Sequence, residues 1–361
     1  MEIYVHIPFC LKKCFYCDFT SFKIKNEEIY VNSLVEEIKN KMVANEITSV
    51  FIGGGTPTVL SPILLEKIFL ELYKYNLSKN CEITIEANPE TLSEDYIKFL
   101  SNYVNRMSIG LQSTKDSLLK NIGRVHSYKT FLKNYEIAKK YVNNINIDLM
   151  FSLPNQSLKD YKESLEEICS LEPSHISSYS LIIEENTPFY NMDINIDESL
   201  DREMYFLTEE ILSRYKYNRY EISNYSKEGM ECKHNIGYWT GIPYLGLGLG
   251  SSSYIDGTRY SNTKNINKYN EKKGINCAED IIKLSKKEEM EEFCFLGLRL
   301  MKGIKVTEFT DKFNENIFEI YGSEINGLIK NNLLVKEENI IRLSKKGIDL
   351  SNYVFEKFIK E

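Results

Sequence analysis

The sequence lacks the features that would mark a membrane or secreted protein. No stretch approaches the roughly 20 consecutive apolar residues that a membrane-spanning helix requires. The opening residues, M-E-I-Y-V-H-I-P-F-C, lack the basic start and the long apolar run of a signal peptide. We therefore expect a cytoplasmic protein with no membrane span.

Positive charge is scarce relative to negative charge. The chain has 45 Lys and Arg against 52 Asp and Glu, which gives a net charge of −7. An acidic chain is a poor general binder of phosphate backbones, so nucleic acid is not an expected partner. In a reducing compartment, the eight cysteines are expected to be free or metal-bound and not paired.

Short apolar runs rich in β-branched residues alternate with amphipathic helical stretches through the first half of the chain. This alternation predicts an α/β fold with a parallel sheet covered by helices. Six units are too few for a closed eight-stranded barrel and indicate a partial (β/α)6 barrel of the TIM type, with functional residues at the C-terminal strand ends. The predicted strands are Ile3–Ile7, Ser49–Ile52, Glu82–Ala87, Arg106–Leu111, Ile145–Phe151 and His175–Ile182.

The pattern changes after Pro188 and predicts two further regions. Residues 191–284 read as a linking α+β segment. Beyond it, helices precede the strand–turn–strand sequence L-L-V-K-E-E-N-I-I-R-L, which predicts a small winged-helix-like domain at 285–361. The acidic charge balance favours packing or protein contact over DNA binding for this last domain.

Three cysteines follow the first predicted strand with the spacing Cys10-x3-Cys14-x2-Cys17. Thiolates are soft ligands that suit iron–sulfur clusters and zinc. Three protein ligands on a [4Fe–4S] cubane leave one iron open to the amino and carboxylate groups of a methionine moiety. A structural zinc site usually needs a fourth Cys or His at similar spacing, and His6 should project from the strand. Three incidental cysteines are the other alternative, but three cysteines within eight residues favour the cluster.

With an aromatic residue at Tyr16, this cysteine motif resembles the radical SAM superfamily. The surrounding Y-V-H-I-P-F-C and Y-C-D-F are similar to its HemN/HemW branch, which holds oxygen-independent coproporphyrinogen III oxidases and haem chaperones. The resemblance is densest over residues 3–182. It implies that residues 1–190 form a partial barrel that binds a [4Fe–4S] cluster through the three cysteines, together with S-adenosylmethionine.

The resemblance also implies residues that bind S-adenosylmethionine. The second predicted strand ends in G-G-G-T-P, where glycines allow the backbone to approach a ligand closely. Glu86 would accept hydrogen bonds from two ribose hydroxyls, and Arg124 would pair with a carboxylate. Surface polar roles, or simple packing for Tyr4, are the alternative. The predicted set is Tyr4, Gly54, Gly55, Thr56, Glu86, Gln112, Arg124 and Asp148.

Two departures distinguish the oxidases from the chaperones of this branch. The oxidases carry a further cysteine two residues after the third, where this chain has Phe19. They also carry an N-terminal extension, whereas nine residues precede Cys10 here. We therefore expect a haem chaperone without coproporphyrinogen oxidase activity. The alternatives are a radical SAM enzyme that modifies a porphyrin and a radical SAM protein with an unrelated substrate.

Residues 232–239, C-K-H-N-I-G-Y-W, resemble the H-N-x-x-Y-W signature of the haem chaperones and contain the single tryptophan. His234 is the predicted haem ligand and Cys232 a second candidate, with hydrogen bonding inside the fold as the alternative for His234. Tyr238 and Trp239 would pack on the porphyrin. The implied partners are haem, haem-dependent client proteins and an electron donor. The sequence identifies no catalytic residue and leaves open whether S-adenosylmethionine is cleaved.

Overall fold

The computed structural model describes residues 1–42 and 45–360. Val43 and Ala44, in the domain predicted at 1–190, and Glu361, in the domain predicted at 285–361, lie outside the described residues. A single large sheet, most of whose central strands are parallel, organises the chain. Helices pack on it, and a smaller three-stranded sheet lies in the C-terminal region. The predicted α/β class is confirmed. No described helix has the length and apolar content needed to cross a membrane.

Six parallel strands lie side by side in chain order at the centre of the large sheet. Their apolar side chains are almost completely buried, as expected for a parallel sheet covered by helices. The last predicted strand, His175–Ile182, is too long. The observed strand ends at Ser180, and Ile182 beyond it is 66% exposed. The strands are β1 (Glu2–Ile7), β2 (Ile47–Gly54), β3 (Leu77–Ala87), β4 (Arg106–Gln112), β5 (Asn144–Phe151) and β6 (His175–Ser180).

The helices between these strands begin at polar caps and bury one face. In the helix after β5, the side chain of Ser157 accepts the Asp160 backbone N–H, while the Asp160 carboxylate accepts the Ser157 N–H. This capping box fixes where the helix begins. The helices of this region are α1 (Glu27–Lys41), α2 (Pro62–Leu72), α3 (Glu94–Leu100), α4 (Asp116–Asn121), α5 (Tyr128–Ala138) and α6 (Leu158–Ser170).

The middle segment adds strands to both edges of the same sheet. One of its strands, Tyr244–Leu247, pairs in parallel with β1, and another, Asn224–Ser226, pairs antiparallel with β6. The sequence did not predict this extension. The elements are α7 (Glu198–Arg214), β7 (Asn218–Arg219), β8 (Asn224–Ser226), α8 (Lys233–Trp239), β9 (Tyr244–Leu247), β10 (Ser252–Ile255), β11 (Thr258–Asn262), α9 (Ile266–Glu271) and β12 (Ala278–Lys283).

The C-terminal region has its own hydrophobic cluster, in which Phe309, Tyr321 and Ile341 are buried. Its helices pack against a three-stranded sheet, which confirms the winged-helix-like arrangement. The boundaries at 190 and 284 stay predictions. The elements are α10 (Lys286–Gly297), β13 (Ile304–Lys305), α11 (Val306–Phe313), α12 (Ile317–Lys330), β14 (Leu334–Glu337), β15 (Ile340–Leu343), α13 (Lys345–Asp349) and α14 (Ser351–Glu356).

Candidate functional site

One cavity, which we call the cofactor cavity, lies at the C-terminal ends of the central strands and against the loop after β1. Of the residues predicted for the cluster and S-adenosylmethionine, all except Tyr4 line it, although they come from separate strands. Their convergence follows from the parallel sheet, which brings the carboxyl ends of its strands to one edge. These lining residues are Cys10, Cys14, Cys17, Gly54, Gly55, Thr56, Glu86, Gln112, Arg124 and Asp148.

The three cysteines are free and half-buried in the loop after β1. Burial raises the pKa of the Cys17 thiol to about 11, and a bound metal would offset this by stabilising the thiolate. Among the described residues, no three His, Cys, Asp or Glu side chains are grouped to hold a single metal ion. Thiolates on three corners of a cubane stand farther apart than the ligands of one ion. Three thiolates suit a [4Fe–4S] cluster with one open iron, whereas a structural zinc site takes four protein ligands.

The turn after β2 depends on two glycines that lie against the cysteine loop. Gly54 has φ +114°, and a Cβ there would lie 2.7 Å from the His6 ring. A Cβ on Gly55 would lie 2.7 Å from the Phe9 carbonyl oxygen and 3.0 Å from the Cys10 sulfur. Larger residues would therefore push the turn away from the cluster ligand, so the turn and the first cysteine form one packed unit.

Two carboxylates extend into the cavity from neighbouring strands. The Gly54 backbone N–H donates to Glu86 Oε2 at 3.1 Å. Burial, with a smaller effect from the nearby Asp148 carboxylate, raises the pKa of Glu86 to about 8. Burial also raises the pKa of Asp148, whose oxygens accept hydrogen bonds from Asn146 and Ser108. Hydroxyl donors from a bound nucleoside would favour the ionised form of Glu86.

Arg124 connects three parts of the cavity wall. Its Nη2 donates to Asn88 Oδ1 at 2.6 Å, and its Nη1 lies 3.6 Å from the Cys14 sulfur. Asn88 in turn donates to Thr56 Oγ1 at 2.8 Å, so it bridges the glycine turn and the arginine. The sequence interpretation missed Asn88. Asn88 follows β3 directly, in I-E-A-N-P, and this position at the end of a strand could have identified it as a cavity residue.

Gln112 ends β4 in a left-handed conformation, with φ +74°, at an irregularity in the pairing with β5. A non-glycine residue held there needs support from its surroundings, and such strain is concentrated at functional sites. The Tyr179 hydroxyl provides part of that support by donating to Gln112 Oε1 at 3.2 Å. Tyr179 also lines the cofactor cavity, and the sequence interpretation missed it.

Tyr4 lines a neighbouring cavity instead of the cofactor cavity. Its hydroxyl lies 3.1 Å from His6 Nδ1, and His6 Nε2 lies 2.9 Å from the Thr20 carbonyl oxygen. Because a carbonyl oxygen only accepts, Nε2 carries the proton and Nδ1 accepts from Tyr4. Phe19 lines both cavities, which are therefore adjacent. A role for Tyr4 in binding S-adenosylmethionine stays a prediction.

His234 is buried inside the barrel and lines none of these cavities. Its Nδ1 lies 2.7 Å from the Ser49 hydroxyl, and its Nε2 lies 3.0 Å from the Tyr238 hydroxyl. Burial, with a smaller effect from the nearby Arg106, lowers the pKa of His234 to about 3, so the ring is neutral. Iron ligation by His234 stays a prediction, and it would require breaking one of these hydrogen bonds.

A buried carboxylate on β3 holds the start of α8, which carries the H-N-x-x-Y-W signature. Glu82 accepts the backbone N–H groups of Lys233 at 3.1 Å and His234 at 3.3 Å. It also accepts the Cys232 thiol at 3.4 Å, so Cys232 is engaged inside the fold. Negative charge at a helix N-terminus is stabilising, because the first N–H groups lack partners within the helix. The sequence interpretation did not identify Glu82.

Comparison with known proteins agrees with this geometry. Residues 4–168 match the radical SAM superfamily, and residues 284–350 match the HemN C-terminal domain. The heme chaperone HemW of Lactococcus lactis subsp. lactis is 39% identical over 370 residues, which cover 99% of this chain and 96% of that protein. The heme chaperone HemW of Bacillus subtilis is 36% identical over 376 residues, covering 99% of each.

Among solved structures, the coproporphyrinogen III oxidase HemN of Escherichia coli matches with a TM-score of 0.87 at 18% identity, covering 99% of this chain and 89% of that one. At this identity the likeness shows the fold alone, and it confirms the partial barrel with its C-terminal region. Membership of the radical SAM superfamily implies a [4Fe–4S] cluster and S-adenosylmethionine as cofactors. On its near-complete alignment with two HemW proteins, the chain belongs to the HemW family of radical SAM proteins.

Proposed function

We propose that this chain is a haem chaperone, which binds haem and delivers it to haem-dependent client proteins. The near full-length similarity to proteins named heme chaperone HemW carries the proposal. Phe19 supports it, because this side chain is 61% exposed at the cavity rim, at the position where the related oxidases carry a further cysteine.

The cofactor cavity would hold the cluster and S-adenosylmethionine side by side. Cys10, Cys14 and Cys17 would ligate three irons, and the bound cluster supplies an electron to the sulfonium. The glycine turn would admit the methionine end, and Glu86 would accept the ribose hydroxyls. Gln112, Arg124 and Asp148 would complete the wall around this cofactor.

We further propose three features of the protein's setting. All eight cysteines are free, which suits a reducing compartment such as the cytoplasm. An electron donor would reduce the cluster. The functional division would place the cofactors in residues 1–190, the signature in 191–284 and a protein-contact unit in 285–361, which has a separate hydrophobic cluster.

Anaerobic reconstitution tests the chaperone proposal. The chain would be supplied with iron and sulfide, titrated with haem, and then incubated with coproporphyrinogen III, S-adenosylmethionine and reductant. We expect tight haem binding, haem transfer to an apo-enzyme and no porphyrinogen turnover. Conversion of coproporphyrinogen III would overturn the proposal in favour of a porphyrin-modifying enzyme, and absence of haem binding would also contradict it.

A further inference from the structure

A continuous chain of hydrogen bonds crosses the barrel interior from the cofactor cavity to the first residue of the α8 region. The side chains between its two ends do not line the cofactor cavity. The two most deeply placed of them are at most 2% exposed, so water cannot readily replace a lost partner there. The members of the chain, in order from the cavity, are Asp148, Asn146, His175, Tyr220 and Cys232.

The partners fix the direction in which these hydrogen bonds run. The Asp148 carboxylate accepts from Asn146 Nδ2 at 2.7 Å, so the amide oxygen of Asn146 faces His175. That oxygen lies 2.6 Å from His175 Nδ1, which therefore carries the ring proton. Burial, with a smaller effect from the nearby Arg106, lowers the pKa of His175 well below its ordinary value. The ring is therefore neutral, and its Nε2 is an acceptor.

Tyr220 completes the chain. Its hydroxyl donates to His175 Nε2 at 2.9 Å, and its oxygen accepts the backbone N–H of Cys232 at 3.3 Å. Cys232 is the N-cap residue of α8. Every donor thus points from α8 toward Asp148. Because aligned hydrogen bonds polarise one another, the strength of the bond at Asp148 depends on the bonds behind it.

The backbone beside the Tyr220 side chain is bound to the C-terminal region. The Tyr220 carbonyl oxygen accepts the Met301 N–H at 2.9 Å, and the adjacent Glu221 forms a β-bridge with Leu300. Tyr220 therefore lies where the barrel, α8 and the C-terminal region meet. A displacement of α8 or of the C-terminal region from the barrel would move the Tyr220 hydroxyl or break one of its hydrogen bonds.

At the other end of the chain, Asn146 supports both oxygens of Asp148. Its Nδ2 donates to one oxygen directly and to the Ser108 hydroxyl at 2.8 Å, and Ser108 donates to the second oxygen at 3.3 Å. Asn146 Oδ1 also accepts the Ser177 hydroxyl at 3.1 Å. Rotation of the Asn146 amide would therefore weaken the support of the whole carboxylate.

We propose that Tyr220, His175 and Asn146 are positioning residues that orient the Asp148 carboxylate toward S-adenosylmethionine. The affinity of the cofactor cavity for this ligand then depends on how the start of α8 is positioned on the barrel. Because coupling between two sites is reciprocal, the bound ligand also stabilises the start of α8. This inference rests on the proposed role of Asp148 in the wall around S-adenosylmethionine.

The test is a double-mutant cycle on S-adenosylmethionine binding, measured by anaerobic calorimetric titration of the reconstituted full-length chain. Tyr220→Phe keeps the ring and removes only the hydroxyl. It should weaken binding about fivefold or more, and so should Asp148→Asn. In the Asp148→Asn background, Tyr220→Phe should add little, because it acts through that carboxylate. A general loss of stability would instead weaken binding by the same factor in both backgrounds.

Tyr217→Phe is the matched control, because the hydroxyl of that buried tyrosine donates to the Pro173 carbonyl oxygen and lies outside the chain. Its affinity for S-adenosylmethionine should equal that of the unaltered chain. Hydrogen exchange supplies a second measurement. The ligand should slow exchange of the peptide that covers residues 230–236 in the unaltered chain, and this protection should be lost in Tyr220→Phe.

Three results would overturn the inference alone and leave the role of Asp148 in place. They are unchanged affinity in Tyr220→Phe, equal factors in the two backgrounds, and weaker binding in Tyr217→Phe as large as that in Tyr220→Phe. Exchange of residues 230–236 that is the same with and without the ligand would contradict the coupling to α8. Unchanged binding in Asp148→Asn would remove the proposed role of Asp148, and the inference with it.

Discussion

The guanidinium of Arg299 lies over the indole ring of Trp239, with its central carbon 4.3 Å from the ring centroid. Arg299 follows α10 in the C-terminal region, whereas Trp239 ends the signature helix α8. This cation–π contact therefore connects the C-terminal region to the helix that carries the signature. Because Trp239 is the only tryptophan, the tryptophan fluorescence of the chain reports directly on the contact between Arg299 and Trp239.

Arg299→Ala should shift the emission of Trp239 and lower the free energy of unfolding by about 1 to 2 kcal/mol, because a partly desolvated cation–π contact is lost. Tryptophan fluorescence and denaturant unfolding measure the two effects. Arg342→Ala is the control, since that arginine pairs with Glu337 on the exposed wing. Emission identical to that of the unaltered chain would show that Arg299 does not contact the indole in solution.

Glu82→Ala should destabilise the fold by about 2 kcal/mol or more, because it leaves the Lys233 and His234 N–H groups without their charged acceptor. Thermal and denaturant unfolding followed by circular dichroism measure the loss. Glu82→Gln retains an acceptor oxygen and should cost less. Equal stability of Glu82→Ala and the unaltered chain would show that α8 does not depend on this carboxylate.

Gly55→Ala should prevent normal cluster assembly, because the added Cβ collides with the Phe9 carbonyl and the Cys10 sulfur. Iron and sulfide content after anaerobic reconstitution measure the effect. Gly327→Ala is the matched control. A Cβ there meets nothing within 4 Å, and alanine within α12 should stabilise the chain by about 0.5 to 1 kcal/mol. A full cluster complement in Gly55→Ala would contradict the close packing of the turn.

Without its cofactors, the chain should lose stability as pH rises through the ionisation of Glu86. Burial raises the pKa of this carboxyl from 4.5 to about 8, so the folded state holds its proton more tightly than the unfolded state does. Its stabilising contribution is complete below about pH 4.5 and is lost as the pH approaches 8. Glu86→Gln should therefore flatten the pH dependence, by at most about 1.4 kcal/mol per pH unit.

Denaturant unfolding of the cofactor-free protein between about pH 5 and 9 measures this effect. Some dependence should remain in Glu86→Gln, because burial also raises the pKa of Glu2 to about 8. Glu36→Gln is the control, since that carboxylate is exposed and its hydrogen bond to Lys39 lowers its pKa. Parallel pH profiles for Glu86→Gln and the unaltered chain would contradict the prediction.

The central strands could be predicted from the sequence because their residues carry a local signal. The run around Val50 and Ile52 is apolar and β-branched, and both side chains are almost completely buried in β2. The same strand pattern allowed the lining residues of the cofactor cavity to be predicted, since residues that end parallel strands meet at one edge of the sheet. Asn88 and Tyr179 were missed because their contacts depend on side chains far away in the sequence.

The middle segment shows where local patterns give no information. Tyr244–Leu247 contains a glycine and is short, and its partner β1 lies more than 200 residues earlier in the chain. Nothing in a local window indicates such a pairing. The environment of His234 was equally inaccessible, because Ser49 is 185 residues away and the hydrogen bond depends on the barrel closing around α8.

The pairing of Tyr244–Leu247 with β1 gives β1 hydrogen-bonded neighbours on both sides. The strand that leads into the cysteine loop is thus an interior strand, although it opens the chain. Detaching the segment that carries the signature would expose a row of unpaired amides beside the cysteine loop, and such an open edge favours aggregation. An intact seam therefore keeps the strand before the cysteine loop paired on both sides.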